Sequence, residues 1–230
     1  MTDHKIVYQQ EADLYQRLIG REDYLGNLLP ELKKITSLNG KDVVDLGSGT
    51  GRLAHLLAPH VKSVHALDLF THMLGVATGR LHNQQLGNWQ VTAGDHRRIP
   101  LPNKSADLVI SGWSICYLVV WEGKEWKGEV ESALQEMKRV LRSGGTMIII
   151  ETLGTGNIEP VEKDDLKPYF TFLESRGFQR SWIRTDYRFD SREEALELVE
   201  FFFGEEMVGE IGNENKPILP ECTGLWGLKL

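Results

Sequence analysis

The sequence predicts an α/β fold with a doubly wound, mostly parallel sheet. Short runs of apolar and β-branched residues recur along the chain, and such runs are typical of strands covered on both faces. Segments whose apolar residues recur at intervals of three and four, the spacing of one helix face, separate these runs. Strands that alternate with helices are joined by right-handed crossovers, which place helices on both faces of a sheet.

Five strands are predicted in the first two thirds of the chain. They cover residues 43–46, 63–67, 89–93, 107–111 and 146–150. Three helices are predicted between them from their apolar faces. These faces consist of Leu53, Leu56 and Leu57; of Met73, Leu74 and Ala77; and of Val130, Leu134, Met137 and Leu141. The turn Ser143-Gly144-Gly145 is expected to end the third helix.

The last third of the chain has a different pattern. A helix is expected over 166–176 with Gly177 as its stop, followed by a β-like stretch over 178–189. Ser191 and Glu194 form a capping box that opens a helix to about residue 202. Residues 223–230 read as a final strand. Two late strands with a helix between them would extend the sheet at one edge.

The first forty residues are expected to be mostly helical and to cover the carboxyl edge of the sheet. Their apolar residues occur at helix-face spacing: Tyr15, Leu18 and Ile19, then Leu25, Leu28, Leu29 and Leu32.

Composition narrows the class of protein. The chain has 230 residues and a formal charge of −7, which argues weakly against a nucleic-acid partner, since phosphate binding favours a basic face. Cys116 and Cys222 match no metal-ligand spacing and are expected to be buried or half-buried thiols in a reducing compartment. Without an apolar N-terminal run or a stretch of membrane-spanning length, a cytoplasmic protein is expected, with no membrane partner.

Three glycines on alternate positions follow the first strand, in the pattern Asp45-x-Gly47-x-Gly49-x-Gly51. Glycine allows a tight exit from a strand and close approach of a ligand to the backbone. In an open α/β sheet, ligands bind beyond the carboxyl ends of the strands. The dinucleotide pattern G-x-G-x-x-G would need glycine where the chain has Arg52. A tight strand-to-helix turn without a ligand is the alternative interpretation.

Two more carboxylates end the next two strands. Asp68 follows the second strand, where a carboxylate can accept hydrogen bonds from both hydroxyls of a ribose. Asp95 follows the third strand and could accept from an adenine amine. Either residue alone could equally be a strand-end cap, but together they favour a nucleoside site.

With these motifs the sequence resembles the class I S-adenosylmethionine-dependent methyltransferases, especially those that act on small molecules. The resemblance rests on DLGSGTG, the aspartate of ALDLF, GDHRRIPLPNKSADLVIS and MKRVLRSGGTMIII, which span residues 43–151, and on the ending TGLWGLKL. It implies a Rossmann-like, seven-stranded sheet with an antiparallel final strand. It also implies one domain with a helical cover (1–40), a cofactor-binding core (41–151) and C-terminal edge elements (152–230).

The resemblance further implies that S-adenosyl-L-methionine is the cofactor and S-adenosyl-L-homocysteine the product. Gly47, Ser48, Gly49 and Gly51 would lie along its methionine portion and ribose, with Asp45 beneath. Asp68 would bind the ribose, Leu69 and Met73 would contact the adenine, and Asp95 and the amide of His96 would hold the adenine edge. The turn from Ser111 to Trp113 would offer a carbonyl to the amino group. The implied cofactor-binding residues are therefore Asp45, Gly47, Ser48, Gly49, Gly51, Asp68, Leu69, Met73, Asp95, His96 and Ser111.

The sequence identifies no catalytic residue. His96 is a candidate for a catalytic role and Tyr117 for contact with the acceptor, although a packed aromatic is the commoner role for such a tyrosine. Trp121, Glu122 and Trp126 either border the mouth of the pocket or cover a helix. Tyr8 and Arg21 are candidates for the cofactor's carboxylate, with surface ion pairing as the alternative for Arg21.

Several functions stay open. A methyltransferase acting on O, N or C of a small molecule is favoured, and the Asn/Asp-Pro-Pro-aromatic motif of nucleic-acid N-methylation is absent from SGWSICY. A protein side-chain methyltransferase, a non-catalytic S-adenosylmethionine-binding module and a nicotinamide-dependent oxidoreductase are the alternatives. The run Phe201-Phe202-Phe203 is expected in the core, with a homodimer contact as the other reading.

Overall fold

The fold is a seven-stranded sheet with helices on both faces, seen in a computed structural model that describes residues 4–230. Residues 1–3, the start of the predicted cover, lie outside the described residues. The strands are β1 (Asp42–Leu46), β2 (Ser63–Asp68), β3 (Trp89–Ala93), β4 (Ala106–Gly112), β5 (Leu141–Thr155), β6 (Gln179–Arg184), β7 (Tyr187–Arg188), β8 (Ile218–Leu219) and β9 (Glu221–Lys229). The helices are α1 (His4–Gln10), α2 (Ala12–Ile19), α3 (Leu28–Ile35), α4 (Arg52–Leu57), α5 (Thr71–Asn83), α6 (Cys116–Glu122), α7 (Trp126–Val140), α8 (Lys167–Ser175) and α9 (Arg192–Phe203).

The order of the strands in the sheet confirms the predicted fold class. It runs β3-β2-β1-β4-β5-β9-β6, with parallel pairing from β3 to β5 and antiparallel pairing of β9 with both β5 and β6. The first three strands are added in one direction across the sheet, and after β3 the chain returns so that β4 pairs with the other side of β1. The carboxyl ends of β1 and β4 are therefore neighbours, and a crevice opens there.

Successive residues of the central strands pack against opposite faces of the sheet, as the period of a strand requires. Val109 and Ile149 contact the cluster formed with Met137 and Tyr169, whereas Leu108 and Ile148 contact the cluster on the other face. Both faces are buried by helices, which explains why these strands read as continuous apolar runs.

Three expectations need correction. The third predicted helix, α7, ends at Val140, because Leu141 is already extended and pairs with Ala106 on β4. The stretch 178–189 forms two strands, since β7 leaves the main sheet and pairs with β8. Helix α3 lies against a face of the sheet, with Leu28 and Leu32 in its core cluster, and not over the carboxyl edge.

Helices α1 and α2 do cover the carboxyl edge. Tyr8 and Ala12 are buried against Met73 of α5, and Phe202 of α9 packs against the same cluster. Phe202 and Phe203 are thus part of the chain's own core. Both cysteines are free, Cys222 buried and Cys116 half-buried, as expected. No helix in the described range 4–230 has both the length and the apolar character to cross a membrane.

Candidate active site

A cleft opens at the carboxyl ends of β1, β2 and β4, beneath α1 and α2. Its volume is about 320 Å³, at the lower end of the range of roughly 300–1,000 Å³ that is typical of small-ligand pockets. Nine of the residues implied by the sequence line it: Asp45, Gly47, Ser48, Gly49, Asp68, Leu69, Met73, Asp95 and His96. Gly51 and Ser111 lie outside the lining, and Gly112 and Trp113 border the cleft next to Ser111.

The three glycines have three different reasons for being glycine. All have positive φ, at +72° for Gly47, +54° for Gly49 and +79° for Gly51. A Cβ at Gly47 would overlap the side chain of Ser114 and approach Nε2 of His96 to 2.7 Å. A Cβ at Gly51 would press on Ala77 at 3.0 Å. Only at Gly49 is there room, which leaves its backbone open to a ligand in the cleft.

Two of the three carboxylates are buried at the floor of the cleft. Asp68 accepts hydrogen bonds from the amides of Gly49 and Phe70, both at 2.8 Å, and burial raises its pKa. Asp45 accepts from the amide of Ala54 at 2.9 Å through Oδ2. Burial, with a smaller contribution from repulsion by Asp68, raises the pKa of Asp45 to about 7. Within residues 4–230, Asp45 Oδ1 has no hydrogen-bond partner, and neither has the buried Oγ of Ser48.

The third carboxylate, Asp95, pairs with Arg97, which is not among the residues that the sequence predicted for the site. Arg97 donates to Asp95 through Nε at 2.9 Å and through Nη2 at 2.7 Å, which lowers the pKa of Asp95. The same guanidinium also pairs with Glu129 at 2.7 Å and with Glu122 at 3.2 Å. The spacing of two between Asp95 and Arg97 was a signal that could have indicated this pair.

His96 is a neutral imidazole in this setting. Its Nε2 lies 2.9 Å from Oγ of Ser114, and burial lowers its pKa to about 4. A base with so low a pKa is weak near neutral pH.

Aromatic side chains form the wall of the cleft opposite the glycines. The hydroxyls of Tyr8 and Tyr117 lie 2.5 Å apart, and Nδ1 of His4 lies 3.3 Å from the Tyr117 hydroxyl. Burial raises the pKa of Tyr8, Tyr15 and Tyr117, so all three phenols are protonated near neutral pH. Trp121 stacks on Tyr117 with ring centroids 4.8 Å apart.

The other candidates from the sequence separate into two groups. Trp121, Glu122 and Tyr8 line the cleft, whereas Trp126 packs against Tyr169 and Phe172 elsewhere. Arg21 pairs with Asp190 and Glu194, outside the cleft lining, so the ion-pair interpretation of Arg21 was the correct one. In the part of the chain that the structure describes, no group of His, Cys, Asp and Glu side chains is placed to hold a metal ion.

Arg52, the residue at which the chain departs from the dinucleotide pattern, is a half-buried residue of the cleft lining. Its guanidinium pairs with Glu22 and stacks over the ring of Trp113, with Cζ 4.0 Å from the centroid. Glu22 is about thirty residues away in sequence, so no local pattern could have indicated the pair.

Comparisons with known proteins find methyltransferases among the relatives of this chain. A family model described as a methyltransferase domain matches residues 44–149. The chain is 33% identical over 144 residues to malonyl-acyl-carrier protein O-methyltransferase of Marinomonas sp. strain MWYL1, covering 61% of this chain and 49% of that protein. It is 25% identical over 186 residues to demethylmenaquinone methyltransferase of Staphylococcus saprophyticus, covering 75% and 74%.

A solved structure of a SAM-dependent methyltransferase from Aquifex aeolicus superposes with a TM-score of 0.58 at 19% identity, covering 88% of this chain and 89% of that one. At this identity the likeness shows the fold alone. The chain spans about half the length of the first curated relatives it matches, at 49% and 48%.

Proposed function

We propose that the chain is a class I S-adenosylmethionine-dependent methyltransferase that transfers a methyl group from S-adenosyl-L-methionine to a small-molecule acceptor. One observation supports this most strongly: Asp45, Asp68 and Asp95 lie at or next to the carboxyl ends of β1, β2 and β3 and line one cleft, whose glycine loop is open at Gly49.

The residues present fit the cofactor. Asp45 Oδ1 and Ser48 Oγ are buried polar atoms without a partner among residues 4–230, and a ligand with an ammonium group and hydroxyls would satisfy them. Each oxygen of Asp68 accepts one amide and retains a lone pair for a ribose hydroxyl. Met73 and Leu69 would contact the adenine. Asp95 would accept a hydrogen bond from the adenine amine while it stays paired with Arg97, and the amide of His96 would lie beside it.

The sulfonium of the cofactor supplies an electrophilic methyl group, so the chemical activation belongs to the cofactor. The chain's contribution is to orient the acceptor and exclude water, which can be worth roughly 7–11 kcal/mol in favourable cases. Tyr8 and Tyr117 are protonated and can donate hydrogen bonds to an acceptor, but they cannot serve as bases near neutral pH. His96, with a pKa of about 4, is a poor base. This cleft therefore suits best an acceptor whose nucleophilic atom carries no proton that a base would have to remove.

The acceptor class follows from the cleft and the relatives. Seven of the lining residues are aromatic side chains or methionine, which favours an acceptor with an apolar, flat portion: Tyr8, Tyr15, Phe70, Met73, Trp113, Tyr117 and Trp121. The relatives carry the names of enzymes for a malonyl-acyl-carrier protein and for demethylmenaquinone. A protein side chain is a second acceptor class, because Leu69 and Trp121 at the mouth are exposed.

The second candidate function is a non-catalytic S-adenosylmethionine-binding module. The contact between Tyr8 and Tyr117, which closes the wall opposite the glycines, favours it. Thermal shift with S-adenosylmethionine, S-adenosylhomocysteine and NAD, each at about 100 times its Kd, distinguishes the readings, since such a ligand stabilises the fold by about 2.7 kcal/mol. A shift with NAD alone would contradict the proposal. A shift with both sulfur compounds, but no S-adenosylhomocysteine formed across a broad acceptor screen, would favour the module.

For location and assembly we propose a cytoplasmic protein, supported by its two free cysteines. The alternative of a homodimer contact at residues 201–203 has no support from Phe202 and Phe203, which pack within the chain. We propose that the three predicted parts of the chain act as one methyltransferase domain.

A further inference from the structure

Arg52, a residue of the cleft lining, has a buried hydrogen-bond donor that no described residue accepts from. It is the first residue of α4, and its side chain is only 15% exposed. Nη1 pairs with Glu22, and one face of the guanidinium lies on Trp113. Nη2 is buried and has no hydrogen-bond partner among the residues described. Because a buried charged donor without a partner is costly, such an atom in a ligand cleft points to a group that the ligand brings.

The pair of Arg52 and Glu22 is held from the C-terminal third of the chain. The Tyr187 hydroxyl donates to Oε2 of Glu22 at 2.9 Å, and the Thr185 hydroxyl donates to Oε1 at 3.1 Å. Glu22 is itself 3% exposed at its side chain. The guanidinium is therefore held directly by Glu22 and Trp113, and Glu22 is held in turn by Thr185 and Tyr187, so the direction of the guanidinium is fixed by three separate parts of the fold.

Other cations at the cleft are engaged differently. Each of the three guanidinium nitrogens of Arg97 already donates to a carboxylate, of Asp95, Glu122 or Glu129. Lys5 lies over the Trp121 ring at the mouth, 5.6 Å from its centroid. Of the arginine and lysine side chains in the cleft lining, within residues 4–230, Arg52 is the one with a buried donor left over.

We infer that Arg52 Nη2 binds the α-carboxylate of the cofactor's methionine portion and that Glu22 is the positioning residue of this contact. The inference rests on the proposed function. A planar guanidinium matches a carboxylate in charge and shape. Arg52 follows the glycine loop directly and lines the same cleft as Gly49, beside which the methionine portion of the cofactor would lie.

The test compares two ligands by isothermal titration calorimetry. S-adenosylhomocysteine contains the amino-acid portion, and 5′-methylthioadenosine keeps the adenosine and the thioether but lacks the carboxylate. For Arg52→Gln we expect S-adenosylhomocysteine to bind about 10- to 100-fold more weakly and 5′-methylthioadenosine to bind within about 2-fold of the original chain. Arg180→Gln is the matched control, because Arg180 also pairs with a glutamate, Glu162, and lies over a tryptophan ring, with Cζ 5.2 Å from the Trp226 centroid, but is outside the cleft lining; it should change neither affinity.

Loss of Arg52 leaves Glu22 buried without its cation, so folding needs its own check. The double variant Glu22→Gln/Arg52→Gln removes that charge, and its ligand-free melting curve and circular dichroism show whether it is folded. It should show the same selective loss of S-adenosylhomocysteine. Glu22→Gln alone keeps the arginine and should weaken S-adenosylhomocysteine by only about 2- to 10-fold.

The outcomes distinguish failure of the Arg52 assignment from failure of the proposed function. If a folded Arg52 variant binds S-adenosylhomocysteine as the original chain does, or loses both ligands equally, the assignment of Arg52 is overturned while the proposed function stands. If the original chain binds neither ligand, the proposed function and this inference fail together.

Discussion

The carboxylate of Asp68 accepts the backbone amide of Gly49 at 2.8 Å, which ties the end of β2 to the middle of the glycine loop. The loop and the second strand therefore form one rigid floor for the cleft. Since Gly49 is also the glycine with open space beside it, the same contact fixes the backbone that a ligand would approach.

Replacing Asp68 should remove both the floor contact and the ribose contact. We expect Asp68→Ala to weaken S-adenosylhomocysteine binding by about 100-fold or more, since hydrogen bonds to a charged group contribute about 1.5–3 kcal/mol each. Calorimetric titration measures this. Asp107→Ala is the control: Asp107 also accepts a backbone amide, from Asp42 at 2.9 Å, but at the opposite edge of the sheet. Equal losses in the two variants would contradict the role given to Asp68.

Gly47 should be sensitive to any side chain for a reason that does not involve a ligand. Gly47→Ala places a methyl group against Ser114 and His96 at φ +72°, whereas Gly26→Ala meets open space at φ +71°. Because φ is nearly the same at the two positions, the difference between their costs measures the steric overlap at Gly47 and not the backbone strain. In urea unfolding, Gly26→Ala should cost about 1–2 kcal/mol and Gly47→Ala about 3 kcal/mol or more. Similar costs for both would show that the contact with Ser114 and His96 is not tight.

Glu151 should make the fold less stable as pH rises. Burial raises its pKa to about 7, although Oε1 accepts from the Cys116 amide at 3.0 Å and the Tyr169 hydroxyl at 3.1 Å. Between the ordinary pKa near 4.5 and about 7, the folded chain holds a proton that the unfolded chain has lost, so stability falls as pH rises through this window.

The variant Glu151→Gln removes this titration. Relative to the original chain, it should gain about 2–3 kcal/mol between pH 5 and pH 8 in urea unfolding. Glu200→Gln, at an exposed position of α9, should show no such trend. A pH-independent difference for Glu151→Gln would mean that this carboxyl titrates normally in the folded chain.

The hydroxyls of Tyr8 and Tyr117 should be energetically coupled. Either Phe variant leaves the other buried hydroxyl without its 2.5 Å partner, so the single changes should each cost more than half of the double change. A double-mutant cycle in urea should give a coupling energy of about 0.5–1.5 kcal/mol. Additive costs would indicate that the two hydroxyls are satisfied independently.

The sequence predicted those parts of the fold that depend on local pattern. The strand at 89–93 has the predicted bounds, and Ser191 caps α9 by accepting the Glu194 amide at 3.2 Å. The split of 178–189 was missed because β7 pairs with a strand that is distant in sequence. Helix α3 was placed on the wrong surface, since amphipathic spacing identifies an apolar face but not the partner that it meets.

At the cleft, too, the local sequence pattern identified some residues and missed those whose role depends on distant partners. Asp45, Asp68 and Asp95 could be found because each ends a strand, and parallel strands bring their carboxyl ends to one edge. Arg52 could not be assigned, because its role depends on Glu22 and Trp113, which only the folded chain brings to it. Whether the cleft residues bind the cofactor as proposed stays a prediction.

The most direct measurement is a crystal structure of the protein grown with S-adenosylhomocysteine. We expect the nucleoside to lie across the carboxyl edge of the sheet, with both ribose hydroxyls on the Asp68 carboxylate and the adenine between Met73 and Asp95. A cleft that remains empty at saturating ligand, or a bound nucleoside whose ribose lies away from Asp68, would contradict this expectation.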